Sequence, residues 1–363
     1  MTEVMSILVA FYYKGGIIMH IPDGYLSPQT DAVLGIVSAS VLAVAAKKTS
    51  KTLSAKNIPL LAIGAAFSFT IMMFNVPIPD GTTAHAVGGS LLAILFGPWT
   101  AAIGVAIALV IQAIFFGDGG ILALGANIFN MGIVLPFISY GIYSLIAGKS
   151  VISSKRRWIG AAIAGYIGLC VASLSAGTEF GIQPLLFHTA NGTPLYSPYG
   201  LNVALPAMLF AHMTVAGPVE AVVNALVVGY LQRSNPALLE LRTNSESKNA
   251  PHRIRKFVIG LLVLAIFTPL GLLASGSAWG ELGSDELQSQ LGFLPSGFQK
   301  FSDFWHHTLL PDYGIAGYDQ TFWQQSLGYL LSAFVGIVVI GLVALIIQRF
   351  VRKPESQKNS RTF

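Results

Sequence analysis

The chain has 363 residues, of which 53% are hydrophobic and only 10% are charged. Soluble domains carry about 25% charged residues, so this composition excludes a single water-soluble domain and makes lipid part of the solvent. Its one cysteine, Cys170, excludes an internal disulfide and a Cys-rich metal site, and the net charge of +5 has to be located before nucleic acid is considered.

The first segment, 1–18, is apolar from Met5 to Ile18 but contains Lys14. It is too short to span a membrane comfortably, and it lacks the basic flank and small-residue cleavage pattern of a secretory signal. We therefore expect it to be an extension that is absent from the working protein, which would begin at Met19.

Apolar windows after this segment predict nine membrane-spanning segments. They lie at 31–46, 58–75, 83–97, 99–116, 121–147, 158–178, 203–231, 256–275 and 325–348. Several approach the ~20 residues that an α-helix needs to cross the hydrocarbon, whereas the first and third would tilt or lie partly inside the bundle. The predicted fold class is all-α: a polytopic membrane helix bundle of about seven spans, followed by a C-terminal two-span hairpin.

The basic residues fall on one side of this topology. All Lys and Arg except Lys14 and Lys300 lie in the linkers 47–57, 148–157 and 232–256 or after residue 348. The positive-inside bias makes that side cytoplasmic. We expect a multi-pass protein of the cell (inner) membrane with its N-terminus outside and its C-terminus inside. The charge is then topological and gives nucleic-acid binding no support.

Two membrane units follow from these boundaries. Residues 19–231 form the seven-span unit, and 232–255 form a polar cytoplasmic linker. Residues 256–348 form the two-span unit, whose external loop 276–324 is acidic, and 349–363 form a cytoplasmic tail.

Motifs for nucleotide or zinc-hydrolase chemistry are absent from the sequence. Gly148-Lys149-Ser150 resembles the end of a phosphate-binding loop, but Tyr143 stands where the loop requires its first glycine. No H-E-x-x-H pattern occurs. We expect that the chain is not an enzyme and does not hydrolyse ATP itself.

Most of the seven histidines lie where histidines are common. The basic linker contains His252, and the predicted external loops contain His188, His306 and His307. His212 differs because it lies inside the seventh span, eight residues before Glu220. A charged group at the membrane centre costs about 2.5–3.5 kcal/mol, so such residues are candidates for function. Packing between helices and gating both remain open for this pair.

His20 and His85 both fall at the predicted external mouth, before the first span and at the start of the third. If the chain begins at Met19, its α-amine, the His20 amide nitrogen and the His20 imidazole can close fused chelate rings around one ion, with His85 as fourth ligand. An all-nitrogen, near-planar set suits Ni²⁺ or Cu²⁺ and binds Mg²⁺ or Ca²⁺ poorly. Polar candidates to orient the imidazoles are Asp23, Asp80, Asn127 and Asn130.

The segments around these residues carry a family resemblance. They are Met19–Leu26 (MHIPDGYL), Thr83–Gly89, Gly119–Asn127 with Asn130–Gly132, Ala211–Met213 and Gly217–Ala221. Residues 19–231 resemble the CbiM/NikM family, the substrate-binding membrane components of cobalt and nickel energy-coupling-factor transporters. The resemblance implies that Met19, His20 and His85 hold the ion. The extension 1–18 departs from the family pattern and would abolish the amine ligand if it were retained.

The C-terminal unit, with Leu310–Gly317 (LPDYGIAG), is similar to the two-span accessory subunit that accompanies these proteins, here fused into one chain. The family implies separate partners: a membrane coupling subunit and two ATPase subunits. It implies no resident cofactor, because Co²⁺ or Ni²⁺ is the transported substrate. Four nitrogens accept both ions, and the Ile-Pro-Asp-Gly variant favours nickel slightly.

Three other classes remain. A secondary divalent-metal transporter needs carboxylates along its path, and only Glu220 lies near the predicted membrane centre. A membrane metallo-enzyme needs an acid or base beside the metal, for which Asp80 is the candidate. A metal sensor or scaffold would not need nine spans.

Overall fold

The computed structural model describes residues 20–52, 57–78, 82–241, 254–274 and 282–351. Within these ranges the chain is predominantly helical, and the strands named there form one two-stranded antiparallel hairpin. Seven helical segments are long and apolar enough to cross a membrane. The all-α, multi-pass membrane architecture is therefore confirmed. Met19, Asp80 and the segment 1–18 lie outside the described residues.

The elements follow one another in this order. The seven-span unit contains α1 (Pro28–Thr52), α2 (Ile58–Met72), β1 (Val76–Ile78), β2 (Thr82–Ala84), α3 (Gly89–Phe96), α4 (Pro98–Ile111), α5 (Leu124–Asn127), α6 (Leu135–Ala147), α7 (Lys155–Leu186), α8 (Leu201–Ala211) and α9 (Gly217–Ser234). The C-terminal unit contains α10 (Arg255–Ile266), α11 (Ser284–Leu291), α12 (Ser296–Phe301) and α13 (Phe322–Val351). Short 3₁₀ turns cover Pro236–Glu240, Thr268–Leu273 and Pro311–Tyr313.

Three of the long helical segments contain π-helical turns, at Gln112–Phe116, Ile128–Val134 and His212–Ala216. Such turns add a residue to the helical repeat and are common at functional sites. The first extends α4, the second joins α5 to α6, and the third joins α8 to α9.

Helix α7 is central to the seven-span unit and contacts α6, α8 and α9. Small residues make these contacts close. A Cβ atom at Gly168 would overlap the hydroxyl of Ser139, and one at Gly165 would overlap the Asn224 amide. Close backbone approach of this kind is typical of helix packing in membranes, where burial of apolar surface gives no driving force.

The third predicted span needs correction, because only eight residues of the window 83–97 are helical. An eight-residue helix rises about 12 Å and cannot cross the hydrocarbon alone. Gly88 explains the break: its φ is +73°, a left-handed conformation that ends any helix extending back toward His85. An apolar window reflects only the hydrophobic side chains, so it cannot reveal that the backbone at Gly88 takes a left-handed conformation. The second window is also shorter than a full span, since α2 has 15 residues.

The segment 82–96 nevertheless runs from the hairpin to the opposite, basic end of the bundle. At that end, Thr49 of α1 shares a hydrogen bond of 3.1 Å with Thr100 of α4. The ammonium of Lys48 lies 3.9 Å from the ring centroid of Trp99, beside the end of α3. Non-helical backbone at membrane depth is tolerated where protein surrounds it, and residues 83–94 are all buried.

The C-terminal unit packs against the seven-span unit at two levels. Helices α10 and α13 lie against α2. Between them, the segment 282–321 covers the end of the bundle that carries His20. The ring of Phe298 packs edge-on against the ring of Tyr25, with centroids 5.1 Å apart. The backbone N–H of Phe298 donates to the carbonyl of Leu195 at 3.0 Å.

Candidate metal centre

The segment that carries His20 is held down by Asp23. Its carboxylate accepts backbone hydrogen bonds from Ile121 at 3.1 Å, Leu122 at 2.8 Å and Ala123 at 3.2 Å. Burial raises the pKa of Asp23, although these three donors favour its charged form. Asp23 therefore fixes the loop before α5. The sequence had suggested that it orients an imidazole, but its recorded hydrogen bonds go to this loop.

Asn127 fixes the residue next to His20. Its side-chain oxygen accepts from Ile21 N at 3.1 Å, and its amide donates to Ile21 O at 3.0 Å. Asn127 therefore fixes the backbone next to His20, whereas the sequence had suggested that it orients an imidazole. Two glycines allow this close approach: a Cβ atom at Gly120 would overlap Asp23, and one at Gly119 would lie 2.9 Å from the Cβ of His20.

The imidazoles of His20 and His85 are brought together, as their positions at one mouth predicted. Their ring centroids are 5.3 Å apart with planes at 64°, and the residues are 2% and 8% exposed. Nδ1 of His20 lies 3.0 Å from Oδ1 of Asp118, but both ring nitrogens of His20 are buried without a hydrogen bond. Nδ1 of His85 lies 3.1 Å from the carbonyl of Ala86.

A cavity of about 80 Å³ adjoins both rings. His212, Asn127 and Asn130 also line it, together with apolar side chains. This volume accommodates several water-sized groups, and therefore a metal ion with part of its ligand shell. Residues of two of the three π-helical turns, Asn130 and His212, lie on its wall.

Asn130 faces the cavity but directs its amide to a carboxylate, donating to Glu179 of α7 at 2.8 Å. The side-chain oxygen of Asn130 is buried without a hydrogen-bond partner. The sequence had suggested that Asn130 orients an imidazole. In the structure its amide is bonded to Glu179 instead. Glu179 itself was missed by sequence reasoning.

Glu220 secures the backbone that follows His85. Its fully buried carboxylate accepts hydrogen bonds from Val87 N and Gly88 N, each at 2.9 Å, and from the hydroxyl of Ser90. Such bonds offset the cost of burying a charge in the membrane. His212, which the sequence had considered together with Glu220, has its Nδ1 atom 2.8 Å from the carbonyl oxygen of Met208.

Asp118 was also missed, although the sequence contained a signal for it. It is the one acidic residue of Phe116-Gly117-Asp118-Gly119-Gly120, directly after a long apolar window. Binding and catalytic residues are found disproportionately on loops, so a lone carboxylate in this loop was a candidate.

The chelating set is incomplete among the described residues. No group of three or more His, Cys, Asp or Glu residues there is arranged to hold a metal ion. The two imidazoles therefore need further donors, such as backbone nitrogen, and the predicted amine donor, Met19, lies outside the described residues.

Comparisons with known proteins point to metal transport. A family model described as "Cobalt uptake substrate-specific transmembrane region" (CbiM) matches residues 20–238, and a "PDGLE domain" model matches 255–353. The "Fused nickel transport protein NikMN" of Rhodobacter capsulatus is 46% identical over 89% of this chain and 95% of its own length. The "Probable fused nickel transport protein LarMN" of Lactiplantibacillus plantarum is 45% identical over 90% of this chain and 96% of its own length. A solved "Truncated Transition metal Transporter" is 62% identical, with a TM-score of 0.55 over 59% of this chain and 98% of its own.

Proposed function

Because the chain belongs to the CbiM family of cobalt uptake substrate-specific transmembrane proteins and carries a PDGLE domain behind that region, we propose that it captures Ni²⁺ or Co²⁺ for import. It acts as the substrate-specific component of an energy-coupling-factor type importer. A membrane coupling subunit and two ATPase subunits complete that importer and hydrolyse the ATP.

The observation that carries this proposal is the buried pair of imidazoles beside the cavity. Both ring nitrogens of His20 are buried without a hydrogen-bond partner, which costs free energy unless a ligand occupies the site. A first-row transition metal would accept the lone pair of this ring, and imidazole nitrogen suits nickel and cobalt.

Met19 would supply the remaining donors. In the proposed set, a chain that begins at Met19 offers its free α-amine, the amide and imidazole nitrogens of His20, and the imidazole of His85. An amine that is part of a peptide bond is an amide and cannot act as a neutral amine donor, so the extension 1–18 is incompatible with this set.

Nickel is the preferred substrate. The two relatives described above each match about nine tenths of this chain, and both are named as nickel transport proteins. Nitrogen-rich, near-planar coordination also favours Ni²⁺ by geometry. Cobalt remains a substrate that the same nitrogen atoms accept, in line with the description of the family model.

The proposed orientation places the metal site outside the cell. The basic linkers and tail then face the cytoplasm. His20, His85 and the segment 282–321 lie at the opposite end, where an ion arriving from outside would first meet the protein.

An uptake assay with radiolabelled Ni²⁺ and Co²⁺ tests the transport role. The chain reconstituted alone in liposomes should bind the ion but not accumulate it, because its sequence contains no phosphate-binding loop. Adding the coupling and ATPase subunits should give ATP-dependent accumulation, with Ni²⁺ preferred over Co²⁺. Accumulation by the chain alone, driven by an ion gradient, would instead establish a secondary transporter.

A further inference from the structure

His212 is an imidazole on the cavity wall that does not belong to the proposed metal-binding set. It is the first residue of the π-helical turn that joins α8 to α9. The start of this span, at Leu201, lies near the outer end of the bundle, where Ser197 N donates to the carbonyl of Tyr25 at 2.9 Å. From Leu201 to His212 a helix rises about 16 Å. The ring therefore lies well inside the bundle.

The two ring nitrogens of His212 have distinct roles. Nδ1 lies 2.8 Å from the carbonyl oxygen of Met208. Because a carbonyl oxygen can only accept, Nδ1 carries the proton, and the lone pair of the neutral ring is on Nε2. His85 has the same arrangement, since its Nδ1 lies 3.1 Å from the carbonyl of Ala86. Imidazoles that bind metals typically donate their other N–H to a carbonyl or a carboxylate in this way.

The donors on the cavity wall suit a transition metal. Among the described residues, this wall contains three imidazoles and no carboxylate, and its other polar members are Thr83, Asn127, Asn130 and Ser173. Neutral nitrogen donors suit Ni²⁺ and Co²⁺ better than Mg²⁺ or Ca²⁺. The three described imidazoles are not arranged as one metal-binding group. A role for His212 therefore requires a second position of the ion.

The backbone after His85 is bonded to the helix that follows His212. Helix α9 begins directly after the π-helical turn, and its Glu220 accepts hydrogen bonds from Val87 N and Gly88 N, each at 2.9 Å. Strand β2, which ends at the residue before His85, also contacts this turn. The two imidazoles are thus held by one set of elements.

His20 is held by other elements. The residue after it, Ile21, exchanges two hydrogen bonds with Asn127, and Asp23 accepts from the loop before α5. None of these bonds involves the elements that hold His85 and His212. A displacement of His20 would therefore break the proposed capture site without separating the other two rings.

We propose that His85 and His212 form a second metal position in the cavity, which receives the ion when it leaves His20. His85 is common to both positions, so the ion keeps one nitrogen ligand while the others are exchanged. Water can complete its coordination in a cavity of about 80 Å³. With fewer nitrogen donors the second position binds more weakly, which favours release. This inference rests on the proposed capture at His20 and His85.

Removal of His20 makes the second position measurable. In the chain that begins at Met19, His20→Ala should retain weak Ni²⁺ binding, measured by calorimetry in detergent. Adding His212→Gln should lower this residual affinity at least about tenfold, because glutamine can still donate to the Met208 carbonyl but has no imidazole nitrogen. In the wild-type background, His212→Gln should leave the affinity unchanged, since His212 is not a ligand of the capture site.

Proton NMR of the His20→Ala chain loaded with Co²⁺ counts the imidazoles that bind. A Co²⁺-bound imidazole whose Nδ1–H is held by a carbonyl gives one strongly shifted, exchangeable signal. We expect two such signals in His20→Ala and one after His212→Gln is added. Met208→Leu is the matched control, because it changes another side chain of the cavity wall at similar volume and keeps the backbone carbonyl. Added to His20→Ala, it should preserve both signals and the residual affinity.

In the complete importer, His212→Gln should slow ATP-dependent Ni²⁺ uptake several-fold at saturating Ni²⁺. Unchanged uptake would overturn the inference while capture at His20 and His85 stands. So would a His20→Ala chain that binds no Ni²⁺, or one whose residual affinity and signals His212→Gln leaves unchanged. Equal losses with Met208→Leu, or a weaker wild-type affinity after His212→Gln, would also overturn it. Absence of Ni²⁺ binding by the wild type would overturn both proposals.

Discussion

Glu220 shows how one residue supports the site without touching it. Its carboxylate takes up two backbone N–H groups and one hydroxyl that would otherwise be unpaired at membrane depth. These bonds fix the chain two residues beyond His85. The sequence identified Glu220 as a residue of interest because a carboxylate inside a span is costly. It could not identify its partners, which are 130 or more positions away along the chain.

Replacing Glu220 with glutamine should therefore weaken both stability and binding. The N–H groups of Val87 and Gly88 share one carboxylate oxygen, Oε2, so a glutamine oxygen at that position would keep both bonds without the negative charge. Its NH₂ group would then face the hydroxyl of Ser90, which loses its acceptor. We expect a loss of about 1–3 kcal/mol in the free energy of unfolding and a lower Ni²⁺ affinity.

Glu179→Gln is the control for this change. Its carboxylate accepts from Asn130 at 2.8 Å and, on the other oxygen, from Ser175 at 3.5 Å, and a glutamine oxygen can keep the shorter bond. Thermal unfolding and calorimetry of the two variants in detergent make the comparison. An equal loss of stability in both would show that burial of a carboxylate, and not its bonds to residues 87–90, is what matters.

At the scale of elements, apolar length predicted most of the helices, and backbone conformation explains where it failed. The windows after residue 98 became helical segments of spanning length, with π-helical or 3₁₀ turns in four of them, because no described residue in them takes a positive φ. The window 83–97 contains Gly88-Gly89, where the chain takes a positive φ and changes from extended to helical. That change places His85 on extended backbone beside the cavity. A continuous helix there would not make the same bonds to Glu220.

Gly88→Ala tests whether this break is required. An alanine at position 88 would have to adopt the unfavourable positive φ, and its Cβ atom would lie 2.8 Å from the ring of Phe67. We expect a loss of about 1–3 kcal/mol in stability and weaker metal binding. Gly141→Ala is the matched control, since its Cβ would meet nothing within 4 Å. Unchanged stability and binding in Gly88→Ala would show that the segment tolerates a helical conformation.

At the scale of the whole molecule, the sequence could assign each imidazole to one end of the bundle but could not predict contacts between the two units. His20 and His85 follow from topology, because both precede spans that start on the same side. Asp118 and Tyr313 lie almost 200 positions apart, and only the packed structure brings them within hydrogen-bonding distance.

The proposed orientation predicts opposite accessibility for two lysine positions. In a Cys170→Ser background, a cysteine at position 300 should react with an impermeant thiol reagent added outside intact cells. A cysteine at position 155, in a basic linker, should react only after the membrane is opened. The reverse pattern would place the metal centre at the cytoplasmic face and contradict capture from outside.

Direct measurement of Ni²⁺ binding tests the central claim, that His20 and His85 together hold the ion. Calorimetric titration should be performed in detergent on the chain that begins at Met19. His20→Ala and His85→Ala should each lower the affinity at least about 100-fold, because each removes a nitrogen donor from a buried site. His188→Ala, at an exposed residue of another loop, and His252→Ala, in the basic linker, should bind as the wild type does. Equal affinities for all of these variants would contradict the account.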